Sequence, residues 1–318
     1  MPKEAQLSLF TTTPDGAVAA PLSLPADPSR QSSLAAAISA FYPEMLRRGL
    51  SPHTIKAFNL DLKLLSSYLD ANRRIGAISS RDLSRFLHYL RHERGVPCSV
   101  KSLERRLTTL KVFFEWLAKT RAIDSDPAAP LIHEPSVDPL PRILYEEQIT
   151  RLLNAARQMT QAEKPDTRPY LLASLVIHTG IKKSECAGIL LEHIDLSDPA
   201  APTLWVRYGN PRYTRKERRL TLPKDFAETL AAYQAQYHPK QKLFECSMRN
   251  LEYVLTNAGR AAGLSEGVSF EELRMTAAVR DYKAGMAPET MRKKYGLSTI
   301  TWNAETLPRI KQLAEQPL

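Results

Sequence analysis

Apolar residues recur with a helical period from Leu34 onward, and no lasting period precedes it. Residues 1–33 are rich in Ala, Pro, Ser and Thr and read as a disordered tail. Helices are predicted near 34–48, 53–71, 80–94 and 99–120, with Ser51-Pro52 and Ser79-Ser80 as start signals and Gly49 and Gly95 as stops. The last of these carries Leu103, Leu107, Leu110, Phe113, Phe114 and Leu117 on one stripe. Its opposite face carries Lys101, Arg105, Arg106 and Lys111. This segment, 34–122, reads as a compact helical domain.

A break follows. Residues 123–142 read as a linker, because five prolines fall within 124–142. Helical patterns resume near 145–158 and 166–179, then near 224–236, 248–262, 269–284 and 288–295. Between them, alternation over 203–208 and 218–222 flanks the basic turn NPRYTRKE and predicts a β-hairpin. The second domain, 143–318, is therefore expected to be α+β, and the chain as a whole mainly α.

Charge changes the picture because of where it sits. The net charge is +10 over 318 residues. Residues 34–122 hold 16 Lys/Arg against 7 Asp/Glu, whereas 123–318 hold 26 against 24. Positive charge concentrated in this way points to a polyanion, most simply nucleic acid, with a solvated basic face as the alternative. No apolar run is long enough for a membrane span, and no basic-then-apolar leader opens the chain. Cys98, Cys186 and Cys246 are far apart and the seven histidines are scattered, so no metal site, disulfide scaffold or cofactor is expected. The expected location is the cytoplasm of a bacterial-type cell, on the nucleoid.

Three segments together resemble the tyrosine recombinase family, the phage integrases and Xer-type recombinases. HTGIKKSECAGILLEHID, residues 178–195, is similar to T-G-x-R-x-S-E-x-x-x-L-x-x-x-D. The hairpin ends KERRLTLP. EELRMTAAV followed by KYGLSTITW resembles H-x-L-R-H-T and then L-G-H-S-x-I-x-T, with Arg274 and Gly296 22 residues apart as in the family. SPHTIKAFNLDLKLLSSYL and SVKSLERRLTTLKVFFEWLAKTRAIDSDPAAPL resemble the helical SAM-like core-binding domain. The resemblance spans about residues 34–318. It implies two domains that clamp duplex DNA, and a reaction that cuts and rejoins strands through a 3′-phosphotyrosine.

That chemistry needs cations on the nonbridging oxygens, an acid for the leaving oxygen, and the nucleophile. Carried over position by position, the first arginine falls on Lys182, which keeps charge but loses the planar fork. The hairpin lysine falls on Tyr213, with Arg212, Arg215 and Lys216 as alternatives. The first histidine falls on Glu271, whose carboxylate repels phosphate. The second arginine is Arg274, the next histidine falls on Leu297, and the tyrosine falls on Thr306. Only Arg274 is clearly retained. Tyr282 and Tyr295 stand off the family spacing, and Trp302, near the lost histidine, cannot abstract a proton. The site reads as dismantled, so the expectation is a DNA-binding protein that does not cleave strands. Two alternatives stay open: an active recombinase with a displaced or trans-supplied tyrosine, and an adaptor between DNA and another protein.

The expected DNA contacts are Lys101, Arg105, Arg106, Lys111, Lys182, Arg212, Arg215, Lys216 and Arg274. Each has a plainer reading: solvated charge for the helical-domain cations, a helix start for Lys182, and an ion pair to Glu271 or Glu272 for Arg274. In the tail, Gln6, Leu7, Ser8, Leu9 and Phe10 resemble the pentapeptide by which bacterial DNA-handling proteins bind the replicative sliding clamp. Leu307, Ile310 and Leu313 share one side of the C-terminal segment and are expected to dock on their own domain, with a neighbouring copy or related recombinase on DNA as the alternative.

Overall fold

The computed structural model describes residues 27–96, 98–132 and 139–315. The pentapeptide at 6–10 lies outside the described residues. The chain divides into two compact units, residues 1–138 and 139–318.

In the first unit, four helices start on serine caps. They are α1 (Leu34–Arg47), α2 (Pro52–Leu69), α3 (Ser80–His88) and α4 (Val100–Lys119). The Ser33, Ser51, Ser79 and Ser99 hydroxyls each accept a backbone N–H of the following turn, at 3.1–3.3 Å. Asp82 completes a capping box by accepting the Ser79 N–H at 2.9 Å. After His88 the helix loosens into a π turn, Tyr89–Glu93. The predicted stripe of α4 supplies the core: Leu107, Leu110, Phe113, Phe114 and Leu117 are buried with Phe41, Leu62, Leu65 and Phe86. Phe113 meets the Phe41 ring edge-on at 5.3 Å and the Phe114 ring at 5.1 Å. Ile123, Ala128 and Leu131 are buried in the same core, so the stretch expected as linker from 123 begins as part of this unit.

The second unit is helical around one small sheet. Its elements are α5 (Glu146–Gln158), α6 (Arg168–Thr179), α7 (Lys183–Cys186), β1 (Ile194–Asp195), β2 (Thr203–Val206), β3 (Arg218–Thr221), α8 (Phe226–Tyr237), α9 (Met248–Ala261), α10 (Phe270–Lys283), α11 (Pro288–Lys294), α12 (Thr299–Thr301) and α13 (Leu307–Ala314). Helix α6 is buried on all sides from Pro169 to Ile177, which fits its nearly continuous apolar sequence and makes it the axis of the core. The sheet is antiparallel in the order β1-β2-β3, with Leu204 opposite Leu220, Trp205 opposite Arg219 and Val206 opposite Arg218. Strand β1 carries no signal in the sequence, since two residues are too short to show alternation. The hairpin turn is a 3-10 helix, Pro211–Lys216, with Asn210 accepting the Arg212 N–H at 3.0 Å.

A second cluster in this unit joins Met275, Ala278, Met291, Tyr295 and Trp302. Ile310 and Leu313 of α13 are buried in it, so the C-terminal helix docks on its own unit. The chain is thus mainly α, with one three-stranded antiparallel sheet among the described residues. No described helix is long and apolar enough to cross a membrane.

Candidate functional site

The site is built where the end of α6, the start of α7, strand β3 and helix α10 come together. Helix α6 stops at Gly180, whose φ of 60° is left-handed. A side chain there is excluded twice, because a Cβ would also lie 2.1 Å from the Tyr295 ring. The freed Gly180 carbonyl accepts the Arg274 Nε at 2.9 Å. That bond fixes Arg274 at the head of the turn, with its side chain 18% exposed.

Two residues on, Lys182 caps α7, its N–H bonded to the Glu185 carboxylate at 3.0 Å. Its ammonium donates to the Gly296 carbonyl at 2.9 Å and stands 3.6 Å from Glu185. Burial pushes this ammonium's pKa down; Glu185 opposes that shift, and Arg274, Arg218 and Lys216 add to it through their positive charge. Lys182, Arg274, Arg218 and Lys216 are therefore electrostatic neighbours.

Glu185 anchors two of them, Lys182 and Arg218. It is buried and accepts both outer nitrogens of Arg218, at 2.9 and 3.1 Å, together with the Tyr208 hydroxyl. Burial alone would raise its pKa, but these donors and the Arg218 charge win and hold the carboxyl at about 2. Arg218 spends its Nε on the Lys294 carbonyl at 2.6 Å. Its guanidinium lies under Gly296, where a Cβ would meet it at 2.7 Å. Lys182 and Arg218 thus clamp the Gly296 turn from two sides. Both residues of the Arg218–Glu185 pair escaped the sequence reading as site residues. The signal was strand alternation: Arg218 shares a face with buried Leu220.

The other expected positions are placed as follows. Glu271 stands 3.3 Å from the Arg274 guanidinium and is 65% exposed. Leu297 is half-buried against the second cluster. Thr306 sits where the π turn Trp302–Thr306 meets α13. Arg212, Tyr213 and Arg215 are exposed on the hairpin turn, with the Lys216 ammonium 5.2 Å over the Tyr213 ring. Tyr295 is buried, donates to Asp281 at 2.6 Å, and has its phenol pKa pushed up by burial and that carboxylate. Tyr282 is half-buried against the same cluster.

In the first unit, Lys101 is exposed on α4 and Lys111 is half-buried. Arg105 and Arg106 turn partly inward. Arg105 pairs with the buried carboxylate of Asp61 on α2, and Thr109 donates to the same carboxylate at 3.0 Å. Arg106 lies 3.6 Å from Asp61, donates to the Cys98 sulfur at 2.6 Å, and is only 14% exposed. Burial pushes the Asp61 carboxyl up, against the pull of Thr109, Arg105 and Arg106.

Comparison with known proteins fits this architecture. Residues 30–121 match the family model for the phage integrase N-terminal SAM-like domain, and residues 142–301 match that of the phage integrase family. The chain belongs to the phage integrase family. Among the relatives of this integrase-family chain, tyrosine recombinase XerC of Oceanobacillus iheyensis is 26% identical over 215 residues, 67% of this chain and 66% of that one. XerC of Staphylococcus epidermidis is 23% identical over 269 residues, 83% of each. In fold, the chain is similar to the Tn1549 transposon integrase in complex with transposon right end DNA, with a TM-score of 0.68 at 15% identity over 87% of this chain and 94% of that one. It is also similar to a lambda integrase tetramer bound to a Holliday junction, with a TM-score of 0.67 at 16% identity over 87% and 77%.

Proposed function

We propose that this chain is a duplex-DNA-binding member of the integrase family that holds a backbone phosphate without cutting it. The observation that carries this reading is the grouping of four cations: Lys182 and Arg218 both reach the buried Glu185 carboxylate, and Arg274 and Lys216 lie close enough for their charge to act on Lys182. Such a cluster leaves positive charge for an anion. The basic excess of residues 34–122 supplies the second, non-specific grip.

Cleavage is a different matter. Glu271 stands where an imidazole is needed, Leu297 has no donor or acceptor, and Thr306 replaces the nucleophile. Of the tyrosines off the family spacing, Tyr295 is buried, bonded to Asp281 and harder to ionise than a free tyrosine. This weighs against a displaced nucleophile. Assembly with further copies on DNA is part of the proposal, since lambda integrase is a tetramer on its junction. Residues 6–10 add a protein hook for a sliding clamp, tested by pull-down with Leu9→Ala and Phe10→Ala.

The decisive experiment is anisotropy titration of duplex DNA alongside trapping on nicked suicide duplexes. Binding with no covalent adduct supports the proposal. An adduct abolished by a Tyr→Phe change supports the active-recombinase reading instead.

A further inference from the structure

We propose that the outward face of the hairpin, centred on Trp205 between Arg207 and Arg219, is a second contact surface for the phosphate backbone of duplex DNA. The inference rests on the DNA-binding reading above and adds residues that the sequence reading did not assign.

Strand alternation sets the geometry. Leu204, Val206 and Leu220 point into the core, which leaves Trp205 and its cross-strand partner Arg219 on the outer face. The Arg219 guanidinium carbon lies 4.8 Å from the Trp205 ring centroid, and that of Arg207 lies 4.7 Å from it. Both cations are therefore held over one indole, which reduces the rotamer freedom they would lose on binding. Among the described residues neither makes an ion pair. The nearby carboxylates make their hydrogen bonds elsewhere: Asp195, which feels the Arg219 charge without pairing with it, accepts the Ser197 N–H at 3.0 Å and its hydroxyl at 2.5 Å, and Glu217 accepts the Tyr208 N–H at 2.9 Å.

Charge selects the occupant. Residues 203–221 contain six basic side chains and one acid, Glu217. Lys216 and Arg218 of the same hairpin belong to the cation cluster at Lys182. Positive charge thus runs from the proposed phosphate site along the turn and onto the outer face. A continuous polyanion matches that run, and a planar guanidinium binds phosphate oxygens through two N–H groups at once. Trp205 supplies an apolar anchor of the kind that closes an interface to water.

The test uses the full chain and its own fluorescence. Trp205 is 37% exposed, whereas Trp116 and Trp302 are 7% and 3% exposed. A mixed-sequence duplex at saturation should roughly halve the acrylamide quenching constant of the wild type and leave that of Trp205→Phe unchanged. Arg207→Ala with Arg219→Ala should flatten the slope of log K against log salt by about one to two units. Duplex binding with Trp205 still open to acrylamide and an unchanged slope overturns this inference alone. Shielding of Trp205 by poly-glutamate but not by the duplex also overturns it, assigning the face to an acidic polypeptide. A wild type that binds no duplex overturns the DNA-binding reading, and this inference with it.

Discussion

The Glu271 carboxylate stands 3.3 Å from the Arg274 guanidinium, three residues along the same helix. Arg274 therefore carries its own counterion, which would compete with any phosphate oxygen under the proposed function. An exposed carboxylate exchanges readily with solvent, so it competes with phosphate without sealing the site.

Neutralising that counterion should strengthen DNA binding. Glu271→Gln is expected to tighten duplex affinity about three- to tenfold, and Arg274→Ala to weaken it by at least as much. Anisotropy titrations at fixed salt measure both. An unchanged affinity in Glu271→Gln would place Arg274 outside the interface.

Strand cleavage should be absent and hard to restore. Suicide duplexes are expected to trap no covalent complex with the wild type, nor with Lys182→Arg, Glu271→His, Leu297→His or Thr306→Tyr taken singly, because such groups act as a unit. The quadruple variant is where residual cleavage should first show. A wild-type adduct lost in Tyr282→Phe, Tyr295→Phe or Tyr213→Phe would instead reveal a displaced nucleophile.

The buried pair Glu185–Arg218 predicts a specific acid sensitivity. Glu185 ionises in the fold at about 2 rather than its ordinary 4.5. The folded state thus favours the ionised form, by about 3 kcal/mol at neutral pH, and that stability is lost as pH falls from about 4.5 toward 2. Glu185→Gln should lower stability at pH 7 by about 3–5 kcal/mol, since it strands a buried guanidinium. It should also flatten the decline below pH 4.5. Denaturant midpoints measured across pH 3–7 compare the two proteins, and parallel curves would refute the assignment.

Helix α13 should matter to stability without changing mass in solution. Ile310 is fully buried against its own unit, so Ile310→Ala should cost about 2–5 kcal/mol. Thermal melts and light scattering read the two effects. Intact stability with lost DNA-bound assemblies would move the contact to a neighbouring copy.

Arg105 and Arg106 should separate in their effects. Arg105 is more exposed than Arg106, at 39% against 14%. Arg105→Ala should flatten the salt slope by about one unit and also lower the melting temperature, because Arg105 bonds buried Asp61 directly, while Arg106→Ala should lower the melting temperature and leave the slope unchanged. A wild-type slope in Arg105→Ala would remove this face of α4 from DNA contact.

The helices were legible in the sequence because their signals are local. Serine caps, the α4 stripe and the Gly49 stop each act within a few residues, and the observed ends fall close to those predicted. The family motifs around Lys182, Arg274 and Gly296 were legible for the same reason. Tertiary structure decided everything that depends on distant partners. Strand β1 exists only because β2 pairs with it. Arg106, one of four cations on an apparently solvated face, turns to an aspartate 45 positions earlier, because a buried carboxylate must find a counterion. Arg218 and Arg219 are adjacent and chemically identical, yet one braces Glu185 inside the site and the other stacks on Trp205 outside. The pleat of β3 separates their roles: alternation puts Arg218 on the face of Leu220, but only the tertiary fold brings Glu185, 33 positions earlier, to meet it there.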